Sequence, residues 1–130
     1  MSETAKLPPL VRTFWRDLKF AKELESPNAE DSLEIRAAIV GWSYHSPTQD
    51  WTRTEFDYVS QRLDIEYPHE SLAAYGENAV NLRLFFALGL GYLLGLYDVG
   101  KISELELERG EAVLPGVIML HLPELTSRNW

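Results

Sequence analysis

The chain has 130 residues, 45% of them hydrophobic and 12% aromatic, with no cysteine and a formal net charge of −8. That is enough apolar surface for one domain with a real core, which excludes intrinsic disorder and leaves little room for a second core. The lack of cysteine excludes disulfides, thiolate zinc sites and a thiol nucleophile, while the acidic balance repels nucleic acid and anionic membrane.

Residues 1–22 carry Lys6, Arg12, Arg16, Lys19 and Lys22 against Glu3 and Asp17, a net +3 that leaves −11 for the remaining residues. An acidic body of this kind steers toward a basic protein surface. The opening MSETAKLPPL has no basic segment followed by an apolar run, so it does not read as a secretory signal, and a cytoplasmic location is expected.

Pro8 and Pro9 suit the first turn of a helix. Leu10, Phe14, Leu18 and Ala21 then recur at helical spacing, widened by Val11 and Trp15, which predicts a helix over 9–24. Arg12, Arg16 and Lys19 fall on its other side, as a solvated basic face or a docking surface for an acidic partner. Ser26-Pro27 reads as the cap of a second helix, with Leu33, Arg36, Ala37, Val40 and Tyr44 on one face, Ile39 and Trp42 beside it, and Ser46-Pro47 ending it.

Thr52 with Glu55 three residues on makes a capping box, and Trp51 before it is placed to staple onto Phe56. A third helix is therefore expected to start at Thr52 and bury Phe56, Val59 and Leu63, followed by a connector over 64–68. Pro68 opens a short helix through Leu72 to Tyr75, capped by Gly76.

The strongest single feature is the stretch 77–97, apolar nearly all round, as befits a helix enclosed by others. Its uncharged run, 84–97, is shorter than the roughly 20 residues that span a bilayer, so it is expected to be a core helix. Ala87, Gly91 and Gly95 are spaced four apart on one face, where another backbone can approach closely. Each glycine costs about 1 kcal/mol of helix stability relative to alanine, so a packing or functional gain should offset it. That gain is expected from packing within the chain, from a seam between copies, or from a hinge or partner groove; Gly89 adds flexibility.

Asp98-Val99-Gly100 reads as a turn, and Ser103 with Glu106 as a second capping box stapled by Ile102 and Leu107. A short acidic helix over 103–109 should end at Gly110. Pro115-Gly116 interrupts the segment 111–125, read as helical rather than extended. The predicted fold is all-α, a compact bundle of about five to seven helices around the central helix 77–97, in a single domain over 1–130.

Catalytic chemistry has little to start from. His45, His69 and His121 are isolated in sequence, no Glu-x-x-His pair is present, and Gly89, Gly91 and Gly95 lack the lysine and Ser/Thr of a phosphate loop. The segment 88–109 has the outline of a helix-turn-helix, but Glu104, Glu106 and Glu108 stand where a DNA reader carries basic and amide groups. Imitation of DNA stays a minor alternative for the acidic surface, whose carboxylates are scattered rather than arrayed at duplex phosphate spacing. No enzyme activity, cofactor, metal, nucleic-acid or membrane binding is expected.

What remains is an interaction surface. Trp42, Tyr44, Trp51, Tyr58, Tyr67 and Trp130 are the aromatic types that anchor protein interfaces, and Ala87, Gly91 and Gly95 offer a close-packing seam. Size, acidity and helical character are similar in type to small bacterial or phage regulators such as anti-activators, toxin-immunity proteins and anti-CRISPR proteins, an analogy resting on no motif. The expected function is a regulator that binds and inhibits or sequesters a protein partner, such as a transcription factor or nuclease. The alternative is an assembly subunit forming a homodimer or larger oligomer through the glycine-bearing helix.

Overall fold

Among the described residues, 9–23, 32–46, 51–76 and 79–121 of a computed structural model, six α-helices follow one another without a strand. They are α1 (Pro9–Glu23), α2 (Leu33–Ser43), α3 (Arg53–Glu66), α4 (Leu72–Tyr75), α5 (Ala79–Asp98) and α6 (Glu104–Leu120), with a 3-10 turn at His69–Ser71 before α4. α5 touches every other α-helix and is the axis of a compact all-α bundle, with residues 82–91 buried without interruption. It is long and apolar enough to cross a membrane by composition, and 67% of that stretch is covered by its neighbours.

The α2–α5 pair is the most extensive contact in the bundle, and small residues make it so. A methyl group added at Gly91 would fall 2.0 Å from the Ala38 carbonyl oxygen, at Gly95 2.6 Å from that of Trp42, and at Gly41 2.3 Å from that of Leu88. Backbone thus lies against backbone on both helices, a separation no side chain larger than hydrogen permits. The close neighbour of the Gly91 and Gly95 face is α2 of the same chain. Ala87 is fully buried in the core.

α6 meets α5 by a reciprocal interlock. The Leu114 side chain occupies the space beside Gly89, 2.7 Å from where a methyl would sit, and the Leu93 side chain does the same at Gly110. Gly89 therefore receives a neighbouring side chain rather than loosening the helix. Gly110, expected to end a short helix, lies inside a longer one that continues through Pro115 to Leu120. Proline lacks the N–H that would bond the Glu111 carbonyl, and packing of Leu107, Leu114 and Ile118 holds the helix together across that gap.

Local signals account for most boundaries. Ser103 and Glu106 bond reciprocally, Glu106 N to Ser103 Oγ at 3.2 Å and Ser103 N to Glu106 Oε1 at 3.1 Å, and the Thr52 amide donates to Glu55 Oε2 at 3.0 Å. α5 closes in a Schellman arrangement: Gly100 takes φ +75°, its amide bonds Tyr97 O and the Lys101 amide bonds Leu96 O at 2.9 Å. Gly76 ends α4 at φ +59°.

Two further expectations are corrected. The N-cap of α2 is Ser32, whose hydroxyl accepts from Ile35 N at 3.3 Å; Ser26 and Pro27 lie outside the described residues. α3 runs on through Asp64 to Glu66, where a connector was expected, because Val59, Leu63 and Tyr67 keep burying the same side of it. In α1, Phe14, Leu18 and Ala21 form the buried face, while the side chains of Leu10, Val11, Arg12 and Trp15 lie outside what is described, as do Pro8, Pro47, residues 77–78 and 122–130.

Candidate functional site

The aromatic residues singled out in the sequence divide sharply. Trp42 is buried and donates its indole N–H to the Asp98 carboxylate, and Trp51 packs edge-on against it with centroids 5.5 Å apart. Tyr58 is half-buried and donates to Glu111, whose carboxylate also faces Arg62 at 3.9 Å; burial first, and then that hydrogen bond, push the phenol well above its ordinary range. Tyr67 is buried edge-on to Phe86, and burial pushes it up to about 12. Trp130 lies outside the described residues; of the other five, Tyr44 keeps half of its surface, 50%, in solvent. Trp42, Ala87, Gly91 and Gly95 are thus interior residues, Trp51 and Tyr58 are largely covered, and Tyr44 is the well-exposed one among the described candidates.

Tyr44 stands on the rim of an open groove of about 590 Å³ between α1, α5 and α6. Leu93, Leu96 and Tyr92 of α5, Val113 and Val117 of α6, and Phe14 of α1 form its walls, with Tyr44 and His45 at the end of α2 closing one side. Phe14 stacks on Tyr92 at 5.7 Å, and Tyr44 meets Tyr92 edge-on at 5.6 Å. Across the opening Val113 leaves 60% of its surface exposed. A concave, aromatic-walled space of this size with its few polar groups gathered at one place is the usual form of a binding site.

Those polar groups form a chain. Tyr92 donates to the buried Asp17 carboxylate, which also receives Arg16 Nε at 3.1 Å, and a terminal nitrogen of Arg16 donates to the Tyr44 hydroxyl. Desolvation raises the Asp17 carboxyl above its ordinary value despite Arg16, so in the acid range its contribution to stability is lost as pH rises through that value. His45 moves the other way. Burial first, then the charge of Lys101, hold its imidazolium below the ordinary 6.5, so the folded protein prefers the neutral ring. The unfolded chain then binds more protons below pH 6.5, and stability is expected to fall as pH drops from about 6.5 through the lower folded value. Urea midpoints across that window should show the decline, and His45→Gln should flatten it.

The remaining histidines stand apart from this chain: His69 is exposed in the 3-10 turn and His121 follows the last turn of α6. Among the described residues no group of three or more His, Asp or Glu converges as metal ligands would. Sequence reasoning passed over the groove because its walls come from four separate elements. Tyr92, a phenol in the middle of the uncharged run 84–97, was a signal that could have pointed there. No known protein family, curated protein or solved structure matches the chain.

Proposed function

We propose that the chain is a small helical regulator that binds a protein partner, such as a transcription factor or nuclease, and sequesters it by holding an apolar segment in the α1–α5–α6 groove. The observation that carries this reading is the groove itself, with Tyr44 and Val113 half or more exposed on opposite lips. Aromatic and aliphatic anchors around a concavity are where interface energy concentrates. The first turns of α6 add Glu104, Glu106 and Glu108, all exposed, which favours a partner with basic flanks around its apolar segment. A cytoplasmic setting accords with a cysteine-free chain.

The oligomer reading loses its geometric basis, since Gly91 and Gly95 lie against α2 within the chain. Tagged protein should retain a stoichiometric partner from its host, and a Tyr44→Asp, Val113→Asp double variant with an unchanged helical circular dichroism spectrum should lose it. Retention of the same partner by that variant would remove the groove from the proposal.

A further inference from the structure

α6 is apolar on two opposite sides. Leu107, Leu114 and Ile118 are buried, and at about 100° per residue Leu105, Ala112, Gly116, Met119 and Leu120 fall on the side turned away from them, with Arg109 and Val113 completing that outer face. Leu120 is 73% exposed, Val113 60%, Leu105 53% and Met119 49%. From Ala112 to Leu120 the helix has no charged residue. A helix apolar all round belongs inside a structure, yet α6 lies at the surface with this face open. Its four large side chains present on the order of 500 Å² of apolar surface, as much as the largest patch on a typical monomer and of the size that marks an interface.

The face is complementary to itself when turned end for end. Two copies of α6 laid antiparallel and centred between residues 112 and 113 bring Leu105 of one level with Leu120 of the other, Arg109 level with Gly116, and Ala112 level with Val113. Large apolar residues then meet at both ends, and Gly116, which has nothing within 4 Å, leaves room for the Arg109 stem. Charge selects the same orientation. Glu104, Glu106 and Glu108 are exposed in the first turns; parallel packing would set them against their own copies, whereas antiparallel packing sets them beside the uncharged half, 112–120. Two such faces bury roughly 1,000 Å², the least that a specific interface needs.

We infer that the chain forms a two-fold symmetric, antiparallel dimer through the outer face of α6. This surface is separate from the Gly91 and Gly95 face, which α2 fills, and it shares only the Val113 lip with the groove. The dimer goes beyond the partner reading and needs no partner. Because each chain carries −8 and the contact is apolar, association is micromolar and tightens as added salt screens the repulsion.

Sedimentation equilibrium of the purified full chain through the high micromolar range, at low and high salt, tests it. Wild-type protein is expected to pass from monomer to dimer, more readily at high salt. A Leu105→Glu, Leu120→Glu variant, changed at two exposed positions outside the groove, should keep its circular dichroism spectrum and weaken association at least about tenfold. Tyr44→Asp, on the other lip of the groove, should dimerise as wild type does. Orientation is read by disulfide trapping, since the chain has no cysteine of its own. Leu105→Cys and Leu120→Cys proteins, mixed and oxidised, should cross-link to each other in preference to themselves. A wild-type chain that stays monomeric, an unaltered dimer in the double-glutamate variant, association that weakens in salt, or self-cross-linking of each cysteine variant in preference to the mixed product would each overturn the assignment.

Discussion

Gly91→Ala is expected to destabilise the protein by about 3 kcal/mol or more, although alanine is the better helix former by about 1 kcal/mol. The added methyl would lie 2.0 Å from Ala38 O and 2.9 Å from Trp42 N, both backbone atoms of α2 that no rotamer change can move. Relief requires α2 and α5 to separate, which opens the contact where Ala38, Leu88 and Trp42 are buried. The same substitution at Gly116, also inside a helix but with nothing within 4 Å, should stabilise by up to about 1 kcal/mol. Gly89→Ala falls between them, because its obstruction is the flexible end of the Leu114 side chain. Urea unfolding of the three variants should give this order, and a Gly91→Ala midpoint at or above that of wild type would contradict the α2–α5 packing.

The glycines of α5 and α6 also show what sequence alone conveyed and what it withheld. Spacing of four residues at Ala87, Gly91 and Gly95 announces that a backbone comes close, and it does. It does not name the neighbour, because the complementary signal on α2, Ala38 followed by Gly41, is two small residues in a segment that reads equally well as an ordinary amphipathic helix. Gly110 misled for a related reason. A glycine after an acidic helical turn resembles a C-cap, and only the Leu93 side chain seated beside it explains why the helix goes on.

Capping boxes, by contrast, were legible because every atom they need lies within four residues. The groove was not, since Phe14, Tyr44, Tyr92 and Val113 come from four elements whose arrangement is settled by α5 packing and not by any local pattern. The chain of hydrogen bonds from Tyr92 through Asp17 and Arg16 to Tyr44 spans 75 residues at its longest step. It ties the groove wall to α1 and places the exposed Tyr44 ring under the Arg16 guanidinium, 5.6 Å from its centroid. A groove anchored this way is held in shape by the chain's own contacts, which would lower the ordering cost of binding under the proposed function.

Buried charge supplies the second large expected effect. Arg83 lies within the most apolar part of α5 yet is buried, and its guanidinium reaches the end of α3, donating to Tyr67 O at 2.5 Å and Leu63 O at 3.4 Å. A cation here satisfies Tyr67 O just beyond the helix end, shares Leu63 O with the Tyr67 amide, which bonds it at 2.8 Å, and complements the helix dipole. Glu34 of α2 at 3.7 Å and Asp64 of α3 at 3.6 Å balance the charge at ion-pair range, so one side chain joins three helices. Arg83→Ala is expected to cost about 3 kcal/mol, near the lower end for breaking a buried pair, because Asp64 is two-thirds exposed and its share is screened by water. Arg83→Met keeps most of the packing volume but leaves the Tyr67 carbonyl without its donor, and should lose about 2 kcal/mol. Added salt should weaken the Asp64 contribution and leave the carbonyl contribution in place. Urea unfolding of both variants at low and high salt separates the two: a Met variant as stable as wild type would mean that Arg83 acts by filling space alone, and that the end of α3 is held by its apolar contacts with α5.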